Sequence, residues 1–297
     1  MAGSSRFKKA INAYIKNDAA ASAIASFLAD KDCSQEDLLK VDGFHNNAVA
    51  LLPILSRTDA ERGFLEKYFL NSTDGRSIFI ICGVSTAGKD TLASYAKHAL
   101  YLEGKEFSYT RKYTTRSRRG FEGINQIDSY SEPSGNYQYF DNEAAISSIE
   151  DAVLSYSLYD HVYALSGNHL SSTQPHDKHQ MCIYGKLENI HEIRKQMFLT
   201  YKRLPFTVLI KASPEDCEGR IMRRHSMPES EQTNRVKEMK RQSLFIERNQ
   251  EFVESGFDLV IENSDTISVA ENASSLTSFL SERIEWANKQ VNKDAAR

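Results

Sequence analysis

The sequence predicts a three-layer α/β fold, a parallel sheet covered on both faces by helices, preceded by a small helical N-terminal region. Three observations predict it. Apolar, partly β-branched runs occur at 78–82, 181–184, 206–211 and 257–262. Helix-compatible stretches separate them, at 89–103, 142–150, 187–200, 214–225, 229–255 and 265–289. Buried strands that alternate with helices pair in parallel, because each parallel connection needs a crossover and the crossover helices cover the sheet. The third observation is the turn "GVSTAGK" between the first strand and the first of these helices.

With 297 residues the chain has room for one large domain or two ordinary ones. Its 40% hydrophobic and 26% charged residues place it among globular proteins, not disordered or fibrous ones. A net charge of -3 provides no general attraction to nucleic acid or anionic membrane, so neither is expected as a partner. No apolar run approaches the roughly 20 residues a membrane span needs. The opening "MAGSSRFKKAINAY" lacks the apolar core of a signal peptide. Cys33, Cys82, Cys182 and Cys217 are scattered without metal-ligand spacing and read as reduced thiols. A cytoplasmic location is expected.

Residues 1–72 carry helical periodicity and almost no strand signal. In "RFKKAINAYIKNDAAASAIASFLAD" apolar residues recur at three- and four-residue intervals. Ser34, followed by Glu36 and Asp37, marks a helix start, and Pro53 breaks a further helical stretch. The region has no chemical motif and is the place for a protein partner or self-association. The polar stretch "NSTDGRS" (71–77) reads as a boundary, with a second domain over 76–290. His176 and His179, in "HDKH", read as solvated loop residues rather than metal ligands.

The spacing G-x-x-x-x-G-K runs through Gly83, Val84, Ser85, Thr86, Ala87, Gly88 and Lys89. Between a strand and a helix it forms a nest of backbone N–H groups for the phosphates of a nucleotide such as ATP, with Lys89 reaching the β/γ oxygens. The plain alternative is a glycine-bearing turn with a surface lysine. The next position usually holds Ser or Thr for a metal but here is Asp90, and Thr91 brings a hydroxyl one residue late. A carboxylate suits Mg2+ and also suits a helix N-terminus; the two roles are compatible.

Farther on, "YTRKYTTRSRRGFEG" (109–123) places five arginines or lysines before Gly120. Y-T-T-R-S-R-R-G-F-E-G resembles the guanylate kinase signature T-T-R-x-x-R-x-G-E-x-x-G. The resemblance continues in order through "NYQYFDNEAAISSI" (136–149), "YDHVYALS" (159–166), "KASPEDCEGRIMRRH" (211–225), "TNRVKEMKRQ" (233–242) and "FDLVIENSD" (257–265). It covers about 78–285 and implies a P-loop kinase with lid and acceptor-binding subdomains, using ATP and Mg2+. Arg116, Arg119, Tyr137 and Tyr163 would then hold the phosphate of a small-molecule acceptor. Arg220, Arg224 and Arg235 would be lid-side arginines acting with Lys89, Asn263 would lie near the adenine, and Asp90 with Thr91 would face the metal.

The guanine-reading positions depart from that pattern. The glutamate position falls near Leu154, the hydroxyl position holds Leu165, the aspartate position falls at Lys186, and a serine before T-T-R is replaced around Lys112. Buried guanine N–H groups left unpaired cost a few kcal/mol, so GMP is a poor acceptor. A sugar-phosphate acceptor, as in the similar ribose bisphosphate phosphokinases, is the alternative. A non-catalytic module that binds nucleotide or phosphopeptide is the rival class, disfavoured by the retained Gly83, Gly88 and Lys89.

Overall fold

The computed structural model describes residues 77–117, 137–171, 179–201, 205–223 and 229–295. The chain divides into two units, 1–71 with 191–204, and 72–190 with 205–297. The helices expected over 1–72 lie outside the described residues. The described residues of the first unit, 191–201, belong to α4 (Ile190–Tyr201), on which Ile193 and Met197 lie one helical turn apart and are buried. Among the described residues no helix is long and apolar enough to cross a membrane.

In the second unit, β1 (Ser77–Gly83) is buried along its whole length, as a strand covered on both faces must be. It pairs in parallel with β7 (His179–Ile183) on one side and β8 (Phe206–Lys211) on the other, so Ile80 faces both Cys182 and Thr207. β2 (Phe107–Tyr109) and β9 (Leu259–Glu262) complete a five-stranded, all-parallel sheet of order β2-β7-β1-β8-β9. His179 is therefore a buried strand residue whose Nδ1 accepts from Ser77 N, not the solvated loop residue expected.

α1 (Lys89–Leu102) turns Leu92, Ala93, Ala96 and Leu100 inward at three- and four-residue spacing. It packs with α8 (Val269–Ala295), and both touch β1, so they share one face of the sheet. An aromatic column runs through that face: Phe79 stacks on Phe206 at 5.3 Å, and Phe206 meets Phe279 edge-on at 6.4 Å. α5 (Pro214–Met222) starts as its sequence demands, with Pro214 in the first turn and the Ser213 hydroxyl accepting from Asp216 N at 3.0 Å. The helix expected over 229–255 is two, α6 (Glu229–Arg248) and α7 (Gln250–Gly256). Asn249 leaves the helical conformation at the break, where Phe245 packs edge-on against Phe252.

A second sheet, of order β4-β3-β6-β5, is built from β3 (Lys112–Thr114), β4 (Tyr137–Tyr139), β5 (Ala152–Leu158) and β6 (His161–Ser166). Its antiparallel pairs were not foreseen from periodicity: β5 and β6 show no clean alternation of apolar and polar residues, and β3 is three residues long. Alternation gives the sheet two different faces. Tyr113, Val162 and Ala164 pack with Phe140 and with Ile146 of α2 (Glu143–Ser147). Lys112, Thr114, Tyr137, Tyr139, Tyr156 and Tyr163 fall on the other face.

One carboxylate ties the packed side together. Asp151 accepts from the hydroxyls of Ser166 (2.6 Å) and Tyr113 (2.5 Å) and from Asn168 N, at the start of α3 (Gly167–Ser171). Burial pushes its carboxyl up, but the hydrogen bonds from Ser166, Tyr113 and Asn168 outweigh that and hold it below its usual 3.8. A depressed carboxyl contributes stability above the unfolded-state value, and that contribution is lost as pH falls from about 4 through the folded-state value. Asp151→Asn is expected to cost about 1–3 kcal/mol at pH 7. Urea titrations of both proteins should converge at acid pH, once the folded-state carboxyl is protonated; a constant gap across pH would contradict this account.

Candidate active site

The chain leaves β1 at its carboxyl end, where neighbouring strands diverge to either side and a crevice forms in open α/β sheets. Gly83 and Gly88 shape the loop that follows. A Cβ on Gly83 would lie 2.0 Å from the carbonyl oxygen of Ile210, so only glycine lets β1 approach β8 there. Gly88 has φ 93° and is the N-cap of α1, with no side chain capping the helix. The first intrahelical bond runs from Leu92 N to Gly88 O, so the N–H groups of Lys89, Asp90 and Thr91 have no acceptor within the helix. Such a helix start carries partial positive charge and is chemically able to receive an anion.

The loop is braced from two directions. Asn263, past the end of β9, donates Nδ2 to Ala87 O at 2.7 Å and accepts on Oδ1 from Asn272 at 2.9 Å. Gln242, fully buried on α6, accepts from Ser85 N at 3.0 Å and donates to Gly185 O at 3.1 Å. Thr86, at φ 62°, donates its hydroxyl to Cys217 O at 3.0 Å. Lys89 folds back, its Nζ donating to the carbonyls of Gly83 (2.9 Å) and Val84 (2.8 Å). Burial lowers the pKa of this ammonium against the opposing pull of Asp90. Asp90 and Thr91 are exposed beside it.

A cavity of about 290 Å³ opens next to the loop, with Leu92, Ile267 and Val269 as apolar wall and Ser264 and Asp265 as polar rim. Arg220 forms part of that wall. Its Nε donates to Asp265 at 2.8 Å, Nη2 to Asn263 O at 2.8 Å, and Nη1 to Thr86 O at 3.4 Å. Arg223 reaches the same carboxylate at 3.2 Å. These arginine contacts hold Asp265 below the usual carboxylate range.

The tyrosine face of the second sheet supplies the other groups. Tyr163 stacks on Tyr156 at 5.3 Å, and Tyr156 meets Tyr184 at 4.3 Å. Lys112 Nζ and Arg116 Cζ lie 5.0 and 5.1 Å from the centre of one ring, that of Tyr137. Leu165, fully buried, pairs with Lys112 across the strands, and Leu154 stands left-handed (φ 53°) where the pairing of β5 with β6 shifts register. The β5–β6 hairpin turns on Tyr159 and Asp160, both with positive φ and neither a glycine. Tyr159 holds the guanidinium of Arg235 over its ring at 4.7 Å, and Arg235 also bonds Glu231 at 3.0 Å. Burial pushes the Tyr159 phenol up to about 12, with Arg235 and Ser85 pulling the other way. Asp160 accepts from Asn234 at 3.1 Å.

The loop residues, Arg220, Arg235, Asn263, Arg116, Tyr137 and Tyr163 thus all lie on elements of one unit. Arg119 and Arg224 lie outside the described residues. Asn263 has its amide committed to the loop and to Asn272, which makes it a brace for Gly88. Sequence reasoning missed Gln242 and Tyr159. Gln242 acts across 157 residues and leaves no local signal; Tyr159–Asp160 lacks the Asn-Gly pair that advertises a two-residue turn.

Among solved structures the chain is similar to the guanylate kinase from Anaplasma phagocytophilum, at 13% sequence identity and a TM-score of 0.44, over 70% of this chain and 87% of that one. No protein-family model and no curated protein matches it. A likeness that distant fixes neither a substrate nor the role of a residue.

The two loop glycines are expected to differ in their tolerance of a methyl group. Gly83→Ala meets backbone and should cost about 3 kcal/mol or more, whereas Gly88→Ala meets a side-chain atom, Asn263 Nδ2, which can shift only by loosening its bond to Ala87, and carries about 1–3 kcal/mol of backbone strain. Chemical denaturation measures both. Equal tolerance would contradict the close approach of β1 to β8.

Proposed function

We propose that this protein transfers the γ-phosphoryl group of ATP to a phosphorylated small-molecule acceptor. The observation that carries the reading is the uncapped N-terminus of α1, held open by Gly88 at the end of a fully buried central strand. The residues present fit a triphosphate: unfilled N–H groups, a lysine in the loop and an adjoining cavity. In this reading the base and ribose occupy the cavity against Leu92, Ile267 and Val269, with Asn263 holding the loop in shape behind them. Asp90 and Thr91 offer exposed oxygens to Mg2+, which when bound would neutralise charge between the carboxylate and the triphosphate. Among the described residues no group of three or more His, Cys, Asp or Glu gathers as a metal site. A magnesium ion that takes its remaining oxygens from phosphate and water needs none.

Lys89 leaves the Gly83 and Val84 carbonyls for the β/γ oxygens, an exchange of neutral acceptors for charged ones that favours the bound state. Arg220 and Arg235, with Arg224, serve as the lid-side cations on the transferring phosphoryl. The tyrosine face of the second sheet serves as the acceptor subdomain, with Arg116, Arg119, Tyr137 and Tyr163 on the acceptor phosphate. A phosphate acceptor requires no general base, so positioning and charge neutralisation carry the catalysis. Leu154 and Leu165 offer a guanine neither carboxylate nor hydroxyl, which supports an acceptor other than GMP.

A coupled assay of ADP release, with nucleoside monophosphates and sugar phosphates as acceptors, tests the reading. At least one acceptor is expected to outperform GMP; a GMP optimum would contradict the acceptor assignment. Lys89→Ala should lower kcat by roughly 100-fold or more. Arg116→Ala should mainly raise the acceptor KM, and Arg220→Ala should mainly lower kcat. The same kinetic signature from both arginines would remove the separation of acceptor and lid roles.

A further inference from the structure

The tip of the β5–β6 hairpin meets α6 through both of its turn residues. Asp160 accepts from Asn234 Nδ2 at 3.1 Å, and the Arg235 guanidinium lies over the Tyr159 ring, 4.7 Å from its centre. The two turn residues have φ of 52° (Tyr159) and 61° (Asp160). Aspartate is among the residues that tolerate this region, whereas a bulky aromatic residue there is an outlier held by its surroundings. A two-residue turn has no need of tyrosine; asparagine or glycine makes it with less strain. What tyrosine adds is the side chain and its contacts.

Those contacts converge on the phosphate loop. Arg235 is 8% exposed, and its guanidinium is gripped by the Tyr159 ring and by Glu231, which accepts from Nε at 3.0 Å. Arg235 and Gln242 lie two turns apart on the buried face of α6, the face from which Gln242 accepts from Ser85 N of the loop. Burial lowers the pKa of Lys89, and Arg235 is close enough to add to that lowering. The hairpin is seated from below as well. A Cβ on Gly185, just past β7, would lie 2.5 Å from Leu158 at the end of β5, and Gly185 O accepts from the same Gln242. The Tyr159 phenol, raised to about 12 by burial, stays neutral at physiological pH, so the ring offers Arg235 a π face and not a counter-ion.

We infer that Tyr159 is a positioning residue that holds the Arg235 guanidinium beside Lys89, where it meets the γ-phosphate of ATP. This deepens the phosphoryl-transfer reading and rests on it. A guanidinium steadied on an aromatic face loses less side-chain freedom when it bonds an anion, and it presents its donors in a fixed fork. The contribution falls on the third phosphate, which ADP lacks. Tyr159 therefore sets how well the site tells ATP from ADP.

Titration calorimetry of the full chain with ATP–Mg2+ and with ADP–Mg2+ tests this. The wild type should bind ATP roughly tenfold more tightly than ADP, the value of one charge-assisted contact. Tyr159→Asn, which suits the positive φ of the turn, should keep its ADP affinity and lose most of the preference for ATP. Tyr159→Phe retains the ring and should keep the larger part of it. Arg235→Met should lose the preference too, and adding Tyr159→Asn to it should cost nothing further, because both changes remove one interaction. Tyr159→Gly repeats the comparison if Tyr159→Asn does not fold. The inference is overturned if the wild type binds ATP and ADP equally, if Tyr159→Asn or Tyr159→Gly keeps the preference, or if the losses at 159 and 235 add. A merely structural tyrosine would lower the melting temperature and leave the ratio of affinities unchanged. Wild type that binds neither nucleotide would sink the kinase reading and this inference with it, whereas a preference for ATP that survives Tyr159→Asn would sink this inference alone.

Discussion

Three backbone N–H groups at the start of α1, those of Lys89, Asp90 and Thr91, have no acceptor among the described residues, and much of the surrounding structure keeps them so. An ordinary N-cap side chain would satisfy one of them for about 1 kcal/mol. Here the cap is Gly88, which has none to offer. The open end is held rigidly rather than left loose. β1 is buried throughout, Gly83 lies against the Ile210 carbonyl, Asn263 grips Ala87 from one side and Gln242 grips Ser85 from another. In the proposed reading, the phosphates of a nucleotide supply the acceptors that the missing cap does not.

The second sheet shows the same economy in charge. Its packed face is ordinary, with Tyr113, Ile146 and Ala164 in contact and Asp151 satisfied by three donors. Its other face gathers Lys112 and Arg116 on a single tyrosine ring. The hairpin that carries Tyr163 turns through two non-glycine residues of positive φ, and its tip meets the Arg235 guanidinium.

Much of the parallel sheet was legible because its strands are continuous apolar runs bounded by helix signals; β1, β8 and β9 lie where "IFIIC", "FTVLIK" and the end of "FDLVIE" put them. The turn from β1 into α1 was legible because the G-x-x-x-x-G-K spacing puts glycines where Gly83 lies against Ile210 and where Gly88 takes a positive φ. The second sheet was not, since β3 and β4 are three residues long and their tyrosines and lysine carry no periodic signal. Nor could sequence show that Lys112 is buried, that Asn263 braces Gly88, or that Gln242 spans from α6 to the loop. These facts depend on contacts between elements far apart in the chain. The break at Asn249 escaped for a related reason: the helical pattern continues through it, and the packing of Phe245 on Phe252 overrides local propensity.

The central claim is that the open N-terminus of α1 receives the phosphates of ATP. Backbone amide chemical shifts, followed by 15N–1H NMR as ATP–Mg2+ is added, observe those N–H groups themselves. The account predicts saturable shifts for Gly88, Lys89, Asp90 and Thr91, larger than those of amides elsewhere in α1 and lost in Lys89→Ala at the same nucleotide concentration. Unmoved amides at these four positions, whether or not ATP binds elsewhere, would contradict it.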